Sequence, residues 1–110
     1  MEVNTEKLPN ASRVFVSGRL DSLSSPVLES HVIELIELAD TETKIVLDLE
    51  AVEYVSSAGL RVFLMIAKTS NRKQREFVIC NVKQDIADII EMSGFSVILN
   101  IKPTLQDALA

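Results

Sequence analysis

The apolar and polar positions of this chain follow several different spacings, and each change of spacing marks a new element. Residues 44–49 form a near-continuous apolar run, which predicts a strand buried on both faces, as in a parallel or mixed sheet. Shorter runs rich in β-forming residues predict three further strands, at 13–17, 76–80 and 97–101. A weaker signal over residues 2–8 predicts an edge strand.

Apolar residues at helical spacing predict a first helix after a small polar loop. We expect it to begin at Pro26, with Ser24 or Ser25 as the N-cap, and to end near Asp40. The residues expected on its apolar face are Val27, Leu28, His31, Leu35, Leu38 and Ala39.

Three further helices follow from the same spacing. They are expected from Ser57 or Ala58 to about Arg72, from Asp85 to Ser93 before Gly94, and in a short terminal segment opened by Pro103 and Thr104. Strands that alternate with helices indicate an α/β fold around a central sheet. The length of 110 residues predicts a single domain over 1–110.

The composition excludes several classes of protein. The chain has one His (His31), one Cys (Cys80) and no Trp, which excludes an internal disulfide scaffold and the usual four-ligand structural zinc site. The longest apolar run, Val62–Ala67, is too short to span a bilayer, and the first residues do not form a signal peptide. We therefore expect a cytoplasmic protein with no membrane insertion and no metal.

The formal net charge of −5 is unevenly distributed. Residues 1–55 carry 11 acidic and 4 basic side chains, giving −7, whereas residues 56–110 carry 5 and 7, giving +2. An acidic balance argues against nucleic acid as the main partner. A cluster of basic residues is expected to form the solvated end of the second helix: Lys68, Arg72, Lys73 and Arg75.

The segment 44–61 carries the most information. A buried strand ends in a short loop, and a helix begins at small residues, at the edge of the sheet where α/β proteins place functional loops. Ser56 and Ser57 lie where an N-cap is expected, so position alone predicts that Ser57 caps the helix. Ala58 and Gly59 would leave the backbone uncovered, so that a partner could approach closely.

These residues also carry a resemblance to a known family. Leu47-Asp48-Leu49, followed by the run from Tyr54 to Arg61, is similar to the signature of STAS domains, the anti-sigma factor antagonist family of bacterial partner-switching systems. Three further segments match in family order: Val16–Asp21, Met92–Phe95 and Thr104–Ala108. The resemblance implies an α/β STAS-like single domain, with a central mixed sheet of four to five strands and about four helices packed mainly on one side.

The resemblance also implies a function and a site. In the family, a serine in the loop before helix two is phosphorylated by a serine kinase that is also an anti-sigma factor and that binds the ATP, and a serine phosphatase reverses the modification. Aligned on Gly59-Leu60, Ser57 takes the place of the phosphorylated residue. Ser56 replaces the Asp, and Ala58 the second Ser, of the most familiar pattern, Asp-Ser-Ser-Gly-Leu. The implied partner-binding residues are Asp21, Ser22, Ser56, Ser57, Ala58, Gly59, Leu60 and Arg61. No cofactor is implied for this chain.

The physics of such a modification predicts a binding switch that leaves the fold intact. A phosphoryl group adds about −1.5 to −2 charges. The free N–H groups and the dipole of a helix N-terminus favour that charge. We expect its effect at the interface, through bulk and through repulsion near Asp21, Glu50 and Glu53.

Two other functions compete with this hypothesis. The first is an enzyme, but Ser57-Ala58-Gly59 is not a nucleophile elbow and His31 lies on an apolar helix face. Asp48, within a strand, is expected to have a structural role, and Cys80 is expected to be a core residue. The second is an accessory STAS subunit of a transporter or larger signalling assembly, in which Ser57 is a cap and docking residue. A kinase-like or phosphatase gene beside its gene would support the partner switch, and transporter genes would support the accessory role.

Overall fold

The computed structural model describes residues 1–38 and 43–110, and in these ranges the chain forms five strands and four α-helices. In chain order these elements are β1 (Glu2–Leu8), β2 (Ala11–Leu20), α1 (Ser25–Leu38), β3 (Lys44–Val55), α2 (Ser57–Arg72), β4 (Phe77–Cys80), α3 (Gln84–Met92), β5 (Ile101–Lys102) and α4 (Leu105–Leu109). A 3₁₀ turn, Phe95–Val97, follows α3. The predicted edge strand at 2–8 is confirmed as β1.

The strands form one sheet in the order β1-β2-β3-β4-β5. β1 and β2 are antiparallel, since a two-residue turn joins Leu8 to Ala11, whereas the other pairs are parallel and need helical crossovers. Helices α1, α2 and α3 contribute to the larger core on one face of this sheet, and Ala108 of α4 packs in a smaller cluster on the other. The predicted α/β fold with a mixed sheet is confirmed.

Strands β2 and β3 run further than the sequence predicts. We expected β3 to end at Leu49, but it continues to Val55, and β2 extends with it to Leu20. The added residues pair irregularly, with register shifts in β2 between Phe15 and Ser17 and beside Gly18. Buried Val52 and Val55 hold this extension against the core despite its polar neighbours. The extension brings Leu20 and Val55 together directly before α2.

Two details of the helices differ from prediction. In α1, Val27 and Leu38 are exposed, whereas Val32 and Ile36 are buried. The buried face consists of Ser25, Leu28, Val32 and Ile36 at helical spacing, so it is rotated from the expected one. The expected end near Asp40, and Ala39 on the expected apolar face, lie outside the described residues.

The last strand is also shorter than predicted. Residues 97–101 do not form a strand, since Val97 belongs to a 3₁₀ turn and is 90% exposed. Only Ile101–Lys102 pairs with β4, because β4 itself is four residues long and offers two partners there. The chain therefore reaches the sheet edge late, and the apolar side chain of Val97 faces solvent.

The basic cluster after α2 is only partly solvated. Lys68, Arg72 and Lys73 are exposed, as expected, but Arg75 is buried. The backbone explains this, because Gln74 adopts a φ of 57° and the N–H of Arg75 donates to the carbonyl of Ser70 at 2.8 Å. The chain turns back toward the sheet at this point and carries Arg75 inward.

Asp48 has the structural role that the sequence predicts. Its side chain is fully buried, and Oδ2 accepts two hydrogen bonds from Arg13, from Nε at 2.9 Å and from Nη2 at 2.6 Å. Oδ1 accepts from the Glu50 backbone N–H at 3.0 Å and from Asn81 Nδ2 at 3.1 Å. The carboxylate thus ties β2, β3 and the end of β4 together.

Cys80 is a core residue, as predicted. It is fully buried, and burial raises the pKa of its thiol to about 11, so the sulfur stays protonated at neutral pH. His31 is half-buried, and its Nε2 forms a hydrogen bond of 2.6 Å with Thr5 Oγ1 of β1. Within 1–38 and 43–110, the chain has no helix with the length and apolar character needed to cross a bilayer.

Candidate functional site

Ser56 caps helix α2. Its backbone is extended, with φ −83° and ψ 176°, and its hydroxyl accepts a hydrogen bond from the Gly59 N–H at 3.3 Å. Its carbonyl accepts from the Leu60 N–H at 3.0 Å. These are the two contacts of an N-cap serine. The prediction that Ser57 caps the helix is therefore wrong, because the preceding serine occupies that place.

Ser57 is the first residue of α2, and it is exposed. With the cap supplied by Ser56, the Ser57 hydroxyl has no hydrogen bond within the part of the chain that the structure describes. The first N–H groups of a helix lack intrahelical partners, and the one on Gly59 is used by the cap. A reactive centre of another protein can thus reach the Ser57 hydroxyl without breaking a bond of this fold.

Asp21 organises the loop before α1. Its Oδ1 accepts hydrogen bonds from the Leu23 and Ser24 N–H groups, both at 3.0 Å. The Ser24 hydroxyl donates to the Arg19 carbonyl at 2.6 Å and accepts from the Asp21 N–H at 3.0 Å. The backbone bond from Ser24, then that from Leu23 and the contact with the Ser24 hydroxyl at 3.1 Å, lower the pKa of the Asp21 carboxyl below its ordinary value of 3.8. Asp21 is therefore a fixed negative charge at neutral pH, with exposed Ser22 beside it.

One backbone hydrogen bond joins this loop to the start of α2. The Ser56 N–H donates to the Leu20 carbonyl at 2.8 Å, so the residue before Asp21 contacts the residue before Ser57. Glu53 lines the same surface pocket as Asp21. Glu50 does not line this pocket and lies six residues before Ser56 along the chain. The expected repulsion from Glu50 stays a prediction.

The remaining expected docking residues face different ways. Gly59 is buried, and a Cβ there would meet Val55 Cγ1 at 2.8 Å and the Leu20 carbonyl at 3.2 Å. The missing side chain thus lets α2 pack against the strand ends, contrary to the expectation that it opens the backbone to a partner. Leu60 is also buried, whereas Ala58 is half-buried and Arg61 is exposed.

The sequence did not single out three exposed side chains around the Asp21 loop. Leu23, Val27 and Tyr54 are all more than two-fifths exposed, and Arg19 lies over the Tyr54 ring at 4.2 Å. Leu23 and Val27 line a pocket of about 620 Å³ with Asp21 and Glu53. Exposed apolar side chains beside fixed charges are typical of protein-binding surfaces. A lone Leu within a serine-rich loop was the available signal for Leu23.

The other side of Ser57 has a different character. A groove of about 290 Å³ lies between the start of α2 and the end of α3. The residues that line it are Ser57, Leu60, Arg61, Leu64, Ser93 and Phe95. Arg61 is the one charged side chain in this lining. Ser57 therefore lines an apolar groove with a single cation on the α3 side, whereas the pocket on the β2–β3 side holds two carboxylates and Arg19.

The described residues do not form an acid–base site around Ser57. The one histidine, His31, bonds to Thr5 on β1, and the described parts of the chain hold no group of three or more His, Cys, Asp or Glu placed to bind a metal. The site can present a hydroxyl, a carboxylate and apolar side chains to another protein.

Comparisons with known proteins agree on one family. Residues 2–108 match the STAS domain. BtrV of Bordetella bronchiseptica, whose name describes an anti-sigma factor antagonist, is 31% identical over 110 residues, a match that covers 100% of this chain and 93% of that protein. An anti-sigma-B factor antagonist of Listeria monocytogenes is 32% identical over 91 residues, which covers 81% of this chain and 76% of that protein.

The solved structures include close matches to the whole fold. The crystal structure of an anti-sigma factor antagonist from Mycobacterium paratuberculosis superimposes with a TM-score of 0.83 at 28% identity, and the match covers 98% of this chain and 90% of that one. The family match extends over residues 2–108, and the fold of this chain matches that solved structure over 98% of its length. This chain belongs to the STAS domain family of regulatory proteins.

Proposed function

We propose that this protein is an anti-sigma factor antagonist that works by partner switching. With Ser57 unphosphorylated, it binds an anti-sigma factor that is also a serine kinase. That kinase binds the ATP and phosphorylates Ser57, which releases the complex, and a serine phosphatase restores the binding form. The protein acts as one domain over residues 1–110, in the cytoplasm, without nucleic acid, membrane insertion or enzymatic activity of its own.

The observation that carries this proposal is that the Ser57 hydroxyl is exposed and does not cap the helix. The hydroxyl of a serine that caps a helix is engaged by a backbone N–H, a bond whose loss on substitution by alanine costs about 1 kcal/mol. Here Ser56 holds the cap, so modification of Ser57 leaves the helix start intact. Ser56 thus supports the helix and Ser57 is left for modification, and the names of the sequence relatives support the proposed class of anti-sigma factor antagonist.

The surface around Asp21 supports a protein partner. Leu23 and Val27 supply exposed apolar area beside a carboxylate that its own loop keeps ionised. A partner with an apolar patch next to a basic side chain would complement this surface, because buried apolar contacts carry affinity and charge complementarity sets orientation. Ser22 lies in the loop that follows Leu20, and the Ser56 N–H donates to the Leu20 carbonyl, so both serines lie next to this surface.

Phosphorylation would change this surface and leave the fold intact. The new charge lies at a helix N-terminus, where unpaired N–H groups and the dipole favour it. Ser56, next to Ser57, is hydrogen-bonded to Leu20, next to Asp21, so a partner that docks on the Asp21 loop meets extra bulk and extra negative charge. The result is a change in affinity rather than in folding.

The test measures the affinity of this protein for a serine kinase from the same organism that binds ATP and acts as an anti-sigma factor. We expect the wild type and Ser57→Ala to bind alike and Ser57→Asp to bind at least tenfold more weakly, with unchanged circular dichroism. Asn71→Asp is the matched control, since it adds the same charge at the far end of α2 and should bind normally. Full binding by Ser57→Asp, or loss of its native circular dichroism, would contradict the proposal.

A further inference from the structure

Arg61 lies one helical turn after Ser57 on α2. Residues four apart on a helix lie on the same face, about 5–6 Å apart at Cβ, and an anion that precedes a cation at this spacing is the favourable order. Both side chains are exposed and line the same groove of about 290 Å³. The Arg61 guanidinium has no hydrogen bond or ion pair within the described residues, so it is available to a new anion.

The surroundings favour this groove for a phosphoryl group. On the β2–β3 side, the pocket lining holds two carboxylates, Asp21 and Glu53, and its arginine, Arg19, lies over the Tyr54 ring at 4.2 Å. On the α3 side, Leu60, Leu64, Ser93 and Phe95 carry no charge, and Arg61 supplies the one cation of the lining. The groove on the α3 side therefore offers a phosphoryl group a cation with no carboxylate in the same lining.

The chemistry of the pair is specific. A guanidinium presents several N–H donors in a fixed plane, which match the oxygens of a phosphate in a two-bond contact. The N–H groups of Ser57 and Ala58, which precede the capped Gly59, add donors at the helix start. The site for the phosphate therefore consists of one turn of α2 and needs no movement of the backbone.

We propose that Arg61 is the phosphate-binding residue of this protein, and that it holds the phosphoryl group of modified Ser57 in the groove between α2 and α3. The inference rests on the proposed function only in taking Ser57 as the modified residue. In the unphosphorylated protein Arg61 is free for the docking surface. After modification it is paired with the phosphate within its own helix, so one event adds a negative charge and removes a cation from the interface.

The test is a ³¹P NMR titration of full-length protein with phosphoserine incorporated at position 57 during translation. A nearby cation favours the dianion, so the second pKa of the phosphate, ordinarily about 6, is lowered in the wild type. We expect Arg61→Gln to raise this pKa by a few tenths of a unit, the scale of an exposed pair four residues apart. Arg61→Lys should restore most of the lowering.

Lys68→Gln is the matched control, because it removes the same charge from the same helix at a position ~16 Å from Ser57 along the axis. It should leave the titration unchanged. An equal pKa in wild type and Arg61→Gln, or an equal shift in Lys68→Gln, would overturn the inference. The outcome is separate from that of the proposed function, since the titration does not depend on which kinase, if any, modifies Ser57 in the cell.

Discussion

Two polar regions of this molecule differ sharply in how fully their side-chain oxygens are hydrogen-bonded. The Asp48 carboxylate is buried, and both of its oxygens accept hydrogen bonds, from Arg13, Asn81 and the Glu50 backbone. Ser57, two residues after the end of the same strand β3, is exposed, and its hydroxyl has no partner within the described residues. The first region is closed to further chemistry, whereas the second is open to it.

This difference shows that two residues of the family signature have different roles. Asp48 and Ser57 belong to one continuous stretch of sequence, yet the aspartate ties three strands together and the serine is presented at the surface. A buried polar group must be paired at nearly all of its atoms, which makes it costly to change. An exposed hydroxyl beside a separate cap can be modified at little cost in stability.

The largest expected effect concerns the closed region. Asp48→Ala should lower the free energy of unfolding by about 3 kcal/mol, since it removes a buried carboxylate and leaves Arg13 and Asn81 without their acceptor. Urea denaturation would measure it. Glu6→Ala is the control, because Glu6 contacts the same Arg13 at 3.3 Å from an exposed position and should cost under ~0.5 kcal/mol. Similar costs for the two variants would contradict the account.

Gly59→Ala tests the close packing that positions the open region. The new Cβ would lie 2.8 Å from Val55 Cγ1, so we expect a loss of about 1–2 kcal/mol despite the better helix propensity of alanine. Gly94→Ala is a control with a different cause, since its Cβ meets no atom but its φ of 82° is strained. Thermal melts compare the two. A Gly59→Ala protein as stable as wild type would show that α2 can shift freely.

The adjacent serines give the sharpest contrast. Ser56→Ala should cost about 1 kcal/mol, because the Gly59 N–H loses its cap. Ser57→Ala should change the unfolding free energy by less than ~0.5 kcal/mol, since its hydroxyl supports nothing in the described fold. Denaturant titrations of both variants in parallel provide the comparison. A larger loss for Ser57→Ala than for Ser56→Ala would reverse the assignment of the two roles.

The smallest effect is the pH dependence at Asp21. The folded protein lowers the pKa of this carboxyl, so its stabilising contribution is present above the ordinary value of 3.8 and is lost as the pH falls through the folded value. Asp21→Asn should therefore melt slightly below wild type at neutral pH, and the gap should close below about pH 4. A gap of constant size from pH 7 to pH 3 would contradict the bonds assigned to Asp21.

The sequence predicted the alternation of strands and helices, the role of Asp48 and the position of Ser57, because periodicity and local signals carry each of them. It did not predict that β3 continues to Val55, since pairing with the lengthened β2 depends on distant residues. It also placed the cap one residue late. The N-cap is the serine whose backbone is extended, and the residue type cannot distinguish Ser56 from Ser57 because both are serines.

The same limit explains the surface residues that were missed. Val27 has helical spacing with Leu28 and was expected inside, yet the start of α1 at Ser25 turns it outward. Val97 was expected in a strand, but the short β4 offers no partner for it. In both cases a side chain's exposure depends on neighbours in space rather than in sequence. Exposed apolar residues at a binding surface are therefore hard to find from apolar pattern alone.

The central claim is that Ser57, and not the serine beside it, is the residue that another protein modifies. Intact-mass measurement of the protein purified from its native cell tests this most directly, with Ser57→Ala and Ser56→Ala expressed in parallel. The account predicts one phosphoryl adduct in a fraction of the wild-type and Ser56→Ala proteins and none in Ser57→Ala. Absence of the adduct in wild type under several growth conditions, or its persistence in Ser57→Ala, would contradict the claim.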